Sequence, residues 1–284
     1  MSATRTDLRA AVPGGELRGW IVGEGEPVLL LHGGPGLAYD YVDDLVADIG
    51  AGYHVATFQQ RGLAPSLTEG PFDVATAVND VVAVLDALGW ERAWVLGHSW
   101  GGHLLWHVAV TAPERLLGAL AVDPLGGVGD GGEAAFEAEL MRRTPPAAAA
   151  RAQELDDRAL RGEGTPEEAD ESLRLLWPAY FASPDHTLPY VSIASSNEAY
   201  SGLWESLKAE LPRLEAALPS IRVPFGVMAG GASPMPVEAA AAATARAIPG
   251  AWLDVVEGAG HFPYYERPGC IRAGLDRLVR HRVD

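Results

Sequence analysis

Ser99, His261 and Asp123 are the side chains of this sequence whose types and surroundings suit nucleophilic catalysis. Ser99 stands in Gly97-His98-Ser99-Trp100-Gly101-Gly102, between a short apolar run (93–96) and a longer one (104–108). That is G-x-S-x-G, the strand-turn-helix elbow that holds a serine hydroxyl at the edge of a sheet. On its own it could also be a glycine-rich turn of another α/β protein, so partners must be found elsewhere in the chain. A serine hydroxyl is weak until a base takes its proton. His261 can be that base: it follows the last apolar run in Gly258-Ala259-Gly260-His261, a setting that lets the loop approach closely. The alternative is a histidine in a surface turn.

An orienting acid must hold the imidazole Nδ1–H and fix its tautomer; loss of that bond costs about 10⁴ in kcat in the serine protease template. The strand before His261 ends near Ala229, and the loop after it (230–236) contains no carboxylate. Glu238 comes past two prolines, at the start of a helix. Asp123, immediately before Pro124 and at the end of the apolar run after the elbow helix, is better placed. The chain order Ser, acid, His then fits this elbow type. Capping of the following loop is the structural alternative for Asp123. For the charge of a tetrahedral intermediate, the donors expected are the backbone N–H of Trp100 and that of Gly34. Removing one such donor typically costs ~10²–10³ in rate.

The remaining candidates carry less. His98 belongs to the elbow and is expected to be held there by packing. His103 and His107 are one helical turn apart, but no acid or third ligand accompanies them, so both are read as structural and no metal site is expected. Lys208 is the only lysine and Cys270 the only cysteine. An intramolecular disulfide and a cysteine metal cluster are thereby excluded.

The elements that must position these groups alternate. Residues 17–22 read as an edge strand and residues 28–31 as a buried, continuously apolar one, ending in the glycine-rich loop 32–36. A helix around 39–49, a strand at 54–58 and a helix over 72–88 lead to the elbow. Leu116–Val122 is a further buried strand. Such alternation argues for a mostly parallel sheet with helices on both faces, an α/β architecture. Its sites lie at the carboxyl ends of the strands.

From about 126 to 218 the alternation stops, and the sequence reads as helical, charged and alanine-rich. Thr165-Pro166-Glu167-Glu168 supplies an N-cap, a first-turn proline and a capping-box glutamate. Leu173, Leu176, Trp177 and Tyr180 follow at helical spacing. A helical cap over 126–218 is expected, inserted into a core domain of residues 1–125 and 219–284. Strand pattern resumes at 224–229 and Trp252–Val256, with helices over 237–247 and 268–280.

With 284 residues, 48% of them hydrophobic and eight tryptophans, the chain can bury a sizeable core. The formal charge of −17 argues against a nucleic-acid or anionic-membrane partner. The N-terminus carries no apolar signal core and no run is long enough to span a bilayer, so a cytoplasmic, soluble protein is expected. The sequence is silent on oligomeric state.

Taken together these residues resemble the α/β-hydrolase superfamily, and within it the proline iminopeptidase-like branch. His32-Gly33-Gly34-Pro35-Gly36 matches that branch's HGGPG loop, and residues 97–102 match its GxSWGG elbow. Gln60-Arg61-Gly62 is similar to its DQRG segment, with Gln59 in place of Asp, and Gly260-His261 matches its closing turn. The resemblance covers roughly residues 17–124 and 220–282. It implies an α/β-hydrolase fold and cofactor-free hydrolysis of a small molecule or short peptide. Ser233 stands where the family's aspartate would be, so Asp123 must substitute, as some α/β-hydrolases place the acid one strand earlier. The peptidases anchor the substrate amine with cap glutamates. Glu198 beside Tyr200 is the candidate here, with Gly33 and Trp177 as further substrate-binding candidates, but the family's Glu-x-His-Tyr pattern is not present.

Two classes of function follow. The first is a serine hydrolase acting through an acyl-enzyme on a small amide or peptide, or on a small ester or lactone. Epoxide hydrolases and haloalkane dehalogenases share the fold but need a carboxylate at the elbow, which Ser99 argues against. The second is a non-hydrolytic lyase or small-molecule receptor on the same scaffold, kept open by the missing carboxylate after Ala229.

Overall fold

A computed structural model describes residues 4–281. In chain order the elements are β1 (Thr6–Val12), β2 (Gly15–Gly23), β3 (Glu26–Leu31), α1 (Val42–Ile49), β4 (Tyr53–Phe58), α2 (Val74–Ala87), β5 (Ala93–His98), α3 (Trp100–Thr111) and β6 (Leu116–Val122). The helices α4 (Glu133–Arg143), α5 (Pro146–Leu160), α6 (Pro166–Leu176) and α7 (Asn197–Ala217) follow. The chain closes with β7 (Phe225–Gly230), α8 (Ala243–Ala247), β8 (Trp252–Val256), α9 (Pro263–Glu266) and α10 (Cys270–Arg280).

The eight strands form one sheet in the order β1-β2-β4-β3-β5-β6-β7-β8. The β1–β2 and β2–β4 pairs are antiparallel, and every other pair is parallel. This is the α/β-hydrolase fold. The central strands are apolar throughout because helices cover both faces. On β3, Val28 and Leu30 turn one way, with Trp94, Leu96 and Leu120, onto Leu45 of α1 and Ile271 and Leu275 of α10. Leu29 and Leu31 turn the other way, with Val95 and Ala119, onto Val81 of α2 and Leu104 and Val108 of α3. A side-chain period of two thus builds two cores from one strand.

One expectation is corrected and one is refined. Residues 17–22 are not an edge strand: they lie within β2, which is paired on both sides, and the edge is β1. Its Leu8 and Ala10 are buried while Asp7, Arg9 and Ala11 are exposed, so half of a polar-looking terminus carries an inward face. The helix expected over 237–247 begins as a π-helix over Val237–Ala242 before α8. The hydroxyl of Thr244 donates to the Ala240 carbonyl (2.7 Å) and accepts from Gly127 N–H (2.8 Å), which ties this helix to the loop after β6.

Between β6 and β7 the chain is helical. Thr165 caps α6 with both bonds of a capping box to Glu168. Packing of α5 on α6 and α4 gives a small apolar cluster of its own, around Leu140, Ala152, Leu176 and Ala179. No helix among the described residues is long and apolar enough to cross a membrane.

Behind the sheet's first loops lies an ion pair cut off from water. Arg61 donates to both carboxylate oxygens of Asp80 (2.9 and 2.7 Å), and both side chains are buried. Burial pushes the Asp80 carboxyl up, against the opposing pull of the guanidinium. Breaking such a pair from one side leaves an uncompensated buried charge and costs about 3–5 kcal/mol. Asp80→Ala is expected to lose that much in urea denaturation, whereas breaking a solvent-screened surface pair such as Arg151–Glu154 should change stability little.

Candidate active site

Ser99 follows β5 and caps α3 with φ +55° and ψ −118°. Asp123, one residue past β6, has φ +43°. They are the only two non-glycine residues with positive φ among the described ones. Such a conformation costs about 1–3 kcal/mol and persists only where the surroundings over-determine it. For Ser99 they do. Its N–H donates to the Val122 carbonyl (2.9 Å), which ties the elbow to the residue before Asp123. A Cβ on Gly101 would lie 2.3 Å from the Leu31 carbonyl oxygen, and one on Gly33 would lie 2.9 Å from Ser99 Cβ. Only glycine lets the 32–36 loop close on the serine this tightly.

The Asp123 carboxylate is buried and accepts three hydrogen bonds. Gly230 N–H donates to Oδ1 (2.8 Å), while Ser233 Oγ (2.5 Å) and His261 Nδ1 (2.6 Å) both donate to Oδ2. The Ser233 hydroxyl is itself held by Met235 N–H (3.0 Å). The position where the resemblance would place an aspartate therefore carries a hydroxyl that serves the acid on the neighbouring strand. With Nδ1 donating, Nε2 of His261 is the nitrogen left to take a proton.

The glycine loop has its own supports. Gly33 N–H donates to the Tyr41 hydroxyl (2.5 Å), and the Gly34 carbonyl closes a tight turn with Leu37 N–H (3.0 Å). Trp100 is the first residue of α3, so its N–H has no acceptor within the helix. Its indole N–H donates to Gln60 Oε1 (2.9 Å), the Gln60 amide donates to the His32 carbonyl (2.9 Å), and Gln60 N–H donates to His32 Nε2 (3.0 Å). The loops carrying Gly34 and Trp100 are thus linked through one glutamine side chain.

His98 does more than pack. Its Nε2 faces the His261 carbonyl (2.8 Å) and its Nδ1 the Tyr41 hydroxyl (2.9 Å). Burial pushes its pKa well below the ordinary histidine value, helped by the charge of His261. His103 and His107 form a closed pair: His103 Nδ1 donates to the Gly126 carbonyl (3.1 Å), and its Nε2 meets His107 Nε2 (3.2 Å). No group of three or more metal-ligating side chains occurs among the described residues.

The helical insertion reaches His261 directly. His261 N–H donates to the Tyr180 carbonyl (2.7 Å), and the rings of Tyr180 and Phe136 lie 5.3 and 6.5 Å from the imidazole. Tyr180 was legible only as part of a helical spacing, and Phe136 carried no signal. Of the other substrate-binding candidates, Gly33 abuts Ser99. Tyr200 has its backbone against Gly36 and its ring stacked on Trp204 (5.9 Å), and Glu198 is exposed in the first turn of α7. Trp177 is buried: its indole N–H donates to the Leu188 carbonyl (2.8 Å) and its ring packs on Phe181 and Phe262, which places it in the core rather than at a ligand.

A model of the alpha/beta hydrolase family matches residues 28–269. The chain belongs to that family. Epoxide hydrolase A of Mycobacterium tuberculosis is 28% identical over 302 residues, covering 90% of this chain and 92% of that protein. Epoxide hydrolase B of the same organism is 37% identical over 110 residues, covering 37% of this chain and only 31% of the length of that protein. The enol-lactonase of Burkholderia xenovorans LB400 superposes with a TM-score of 0.71 at 22% identity, over 96% of this chain and 99% of that one.

Within this α/β hydrolase the buried imidazoles carry a pH signature. Burial lowers His32 and His103 from 6.5 to about 4, and His107 to about 3. Between pH 6.5 and 4 the unfolded chain takes up protons that the folded one refuses. Their contribution to stability is therefore full above pH 6.5 and is lost as pH falls toward 4, by about 1.4 kcal/mol per pH unit for each group. Urea denaturation across that range should show the decline, with a shallower slope in His107→Gln.

Proposed function

We propose that this α/β hydrolase is a cofactor-free serine hydrolase acting through an acyl-enzyme on a small ester or lactone. The observation that carries the reading is the 2.6 Å hydrogen bond from His261 Nδ1 to the buried Asp123 carboxylate, with His98, the neighbour of the elbow serine, bonded to the His261 carbonyl. Ser99 Oγ attacks the acyl carbon while His261 Nε2 takes its proton, forming the tetrahedral intermediate. Asp123 holds the imidazole in the needed tautomer and offsets the charge it acquires. The N–H groups of Trp100 and Gly34 receive the oxyanion. His261 returns the proton to the leaving alkoxide, and the acyl-enzyme is hydrolysed by water activated the same way.

Residues 126–218 are read as the cap and residues 1–125 and 219–284 as the core, with Tyr180 and Phe136 roofing His261. Epoxide opening, suggested by the names of the two relatives, fits the chain less well because the elbow carries a hydroxyl where that chemistry uses a carboxylate. Amide hydrolysis is the second reading, carried by the HGGPG and GHSWGG sequences, with Tyr200, whose backbone abuts Gly36, and the exposed Glu198 on the same helix as candidates to meet a substrate.

A fluorophosphonate probe is expected to label Ser99, and a protein that turns over esters without being labelled there would sink the proposal. Asp123→Asn should lower kcat by about 10³–10⁴ with KM little changed. Adding Ser233→Asp to that variant restores a carboxylate beside His261 and should recover part of the loss. Comparing short acyl esters and lactones with proline arylamides separates the two substrate readings.

A further inference from the structure

Three hydrogen bonds run in one direction from the glycine loop to the backbone of His261. Gly33 N–H donates to the Tyr41 hydroxyl (2.5 Å), leaving that hydroxyl's own proton to be given elsewhere. The nitrogen within reach is His98 Nδ1, at 2.9 Å. On its far side His98 Nε2 lies 2.8 Å from the His261 carbonyl oxygen, which can only accept. Nε2 therefore carries the hydrogen of a neutral His98, and Nδ1 is the acceptor that the Tyr41 hydroxyl needs. Each donor in the chain has one acceptor, so the polarity of the whole line is determined. Burial holds His98 in the neutral form this polarity requires.

We infer that Tyr41 and His98 are positioning residues that set the His261 backbone at a fixed distance from the glycine loop. The inference rests on the reading of Ser99 and His261 as the reacting pair. Asp123 controls the tilt of the imidazole through Nδ1, but a ring held only there can swing with its backbone. The His98 bond to the His261 carbonyl and the Tyr180 bond to its N–H fix the main chain on both sides. Because His98 is also the residue before Ser99, the relay joins the nucleophile's strand, the base's loop and the loop of Gly34 through two side chains. The ring of His98 lies 4.8 Å from that of His261, so a neutral relay spares the imidazolium formed during acyl transfer a second cation beside it. Nothing in the sequence marks Tyr41, eight residues beyond Gly33.

The test uses Tyr41→Phe, His98→Gln and His98→Leu in the full chain, with ester turnover, fluorophosphonate labelling at Ser99, and the downfield proton resonance of His261 Nδ1–H. Misplacement of a reacting group by about 1 Å can cost ~10²-fold, so Tyr41→Phe and His98→Leu are expected to lose about 10- to 100-fold in kcat and in labelling rate. KM should be unchanged and the downfield proton shifted or broadened. His98→Gln keeps a donor where Nε2 stands and should recover most of the loss. Wild-type kcat and an unmoved proton resonance in Tyr41→Phe and His98→Leu would overturn the inference, as would losses in kcat that follow the melting temperature alone or that His98→Gln fails to relieve. A wild-type protein that hydrolyses esters but is unlabelled at Ser99 would instead overturn the reading beneath it. If His98→Leu does not fold, Tyr41→Phe, which keeps its ring against Phe262, decides alone.

Discussion

A buried carboxylate must be satisfied where it lies, and the Asp123 carboxylate draws its three partners from two separate stretches of chain. It sits at the end of β6 and accepts from the end of β7, from the loop after β7 and from the loop after β8. Taking an unpaired carboxylate out of water costs several kcal/mol even after relaxation, and among the described residues no arginine or lysine pairs with it. The three donors do, and they can converge only if β6, β7 and β8 are adjacent and in register. The parallel order β6-β7-β8 is thus a condition for burying this one charge. The positive φ of Asp123, like that of Ser99, is a strain that the same convergence sustains.

The other half of the sheet is organised by a different economy. The loops after β3 and β4 carry few charges, and they are knit by His32, Gln60 and the indole of Trp100. The charged pair of that region, Arg61 and Asp80, sits deeper, where it ties the loop after β4 to α2. Gln60-Arg61-Gly62 therefore divides its labour. The glutamine braces the glycine loop against the elbow helix, and the arginine braces the loop itself. The hydrogen bonds of both side chains run to protein groups, which favours an architectural role for that segment.

How much of this could be read in advance depended on whether the determinant was local. The elbow, the glycine loop and the histidine turn are legible because a tight backbone approach demands glycine at adjacent positions, and glycine spacing is written in one stretch. Continuous apolar runs such as 28–31 and 116–122 announce strands covered on both faces. β1 is faint in the sequence because only Leu8 and Ala10 are fully buried, with Val12 half-buried, among exposed, mostly polar neighbours. The strand order was out of reach, since β3 pairs with β5 across more than sixty residues and nothing local encodes that. Asp123 could be argued by elimination, but its bond to Ser233 joins residues 110 apart. Tyr41, Phe136 and Tyr180 were invisible as site residues for the same reason: each looks like ordinary aromatic content until the loops close around it.

The enclosure of His261 bears on the chemistry proposed for it. Its ring is flanked by His98, Phe136, Tyr180 and Phe262, all within 6.5 Å between centroids. In such surroundings an oxyanion bound by two backbone N–H groups gains far more than it would in water, because little solvent competes and the donors need not reorganise. The same low dielectric penalises an imidazolium, so the base needs a counter-charge close by and no second cation. Asp123 at 2.6 Å supplies the first, and a neutral His98 meets the second. On the proposed chemistry, Phe136 and Tyr180 come from the helical insertion while Ser99, Asp123 and His261 come from the ends of the strands, so exchange of the insertion is expected to alter substrate preference with the reacting groups kept.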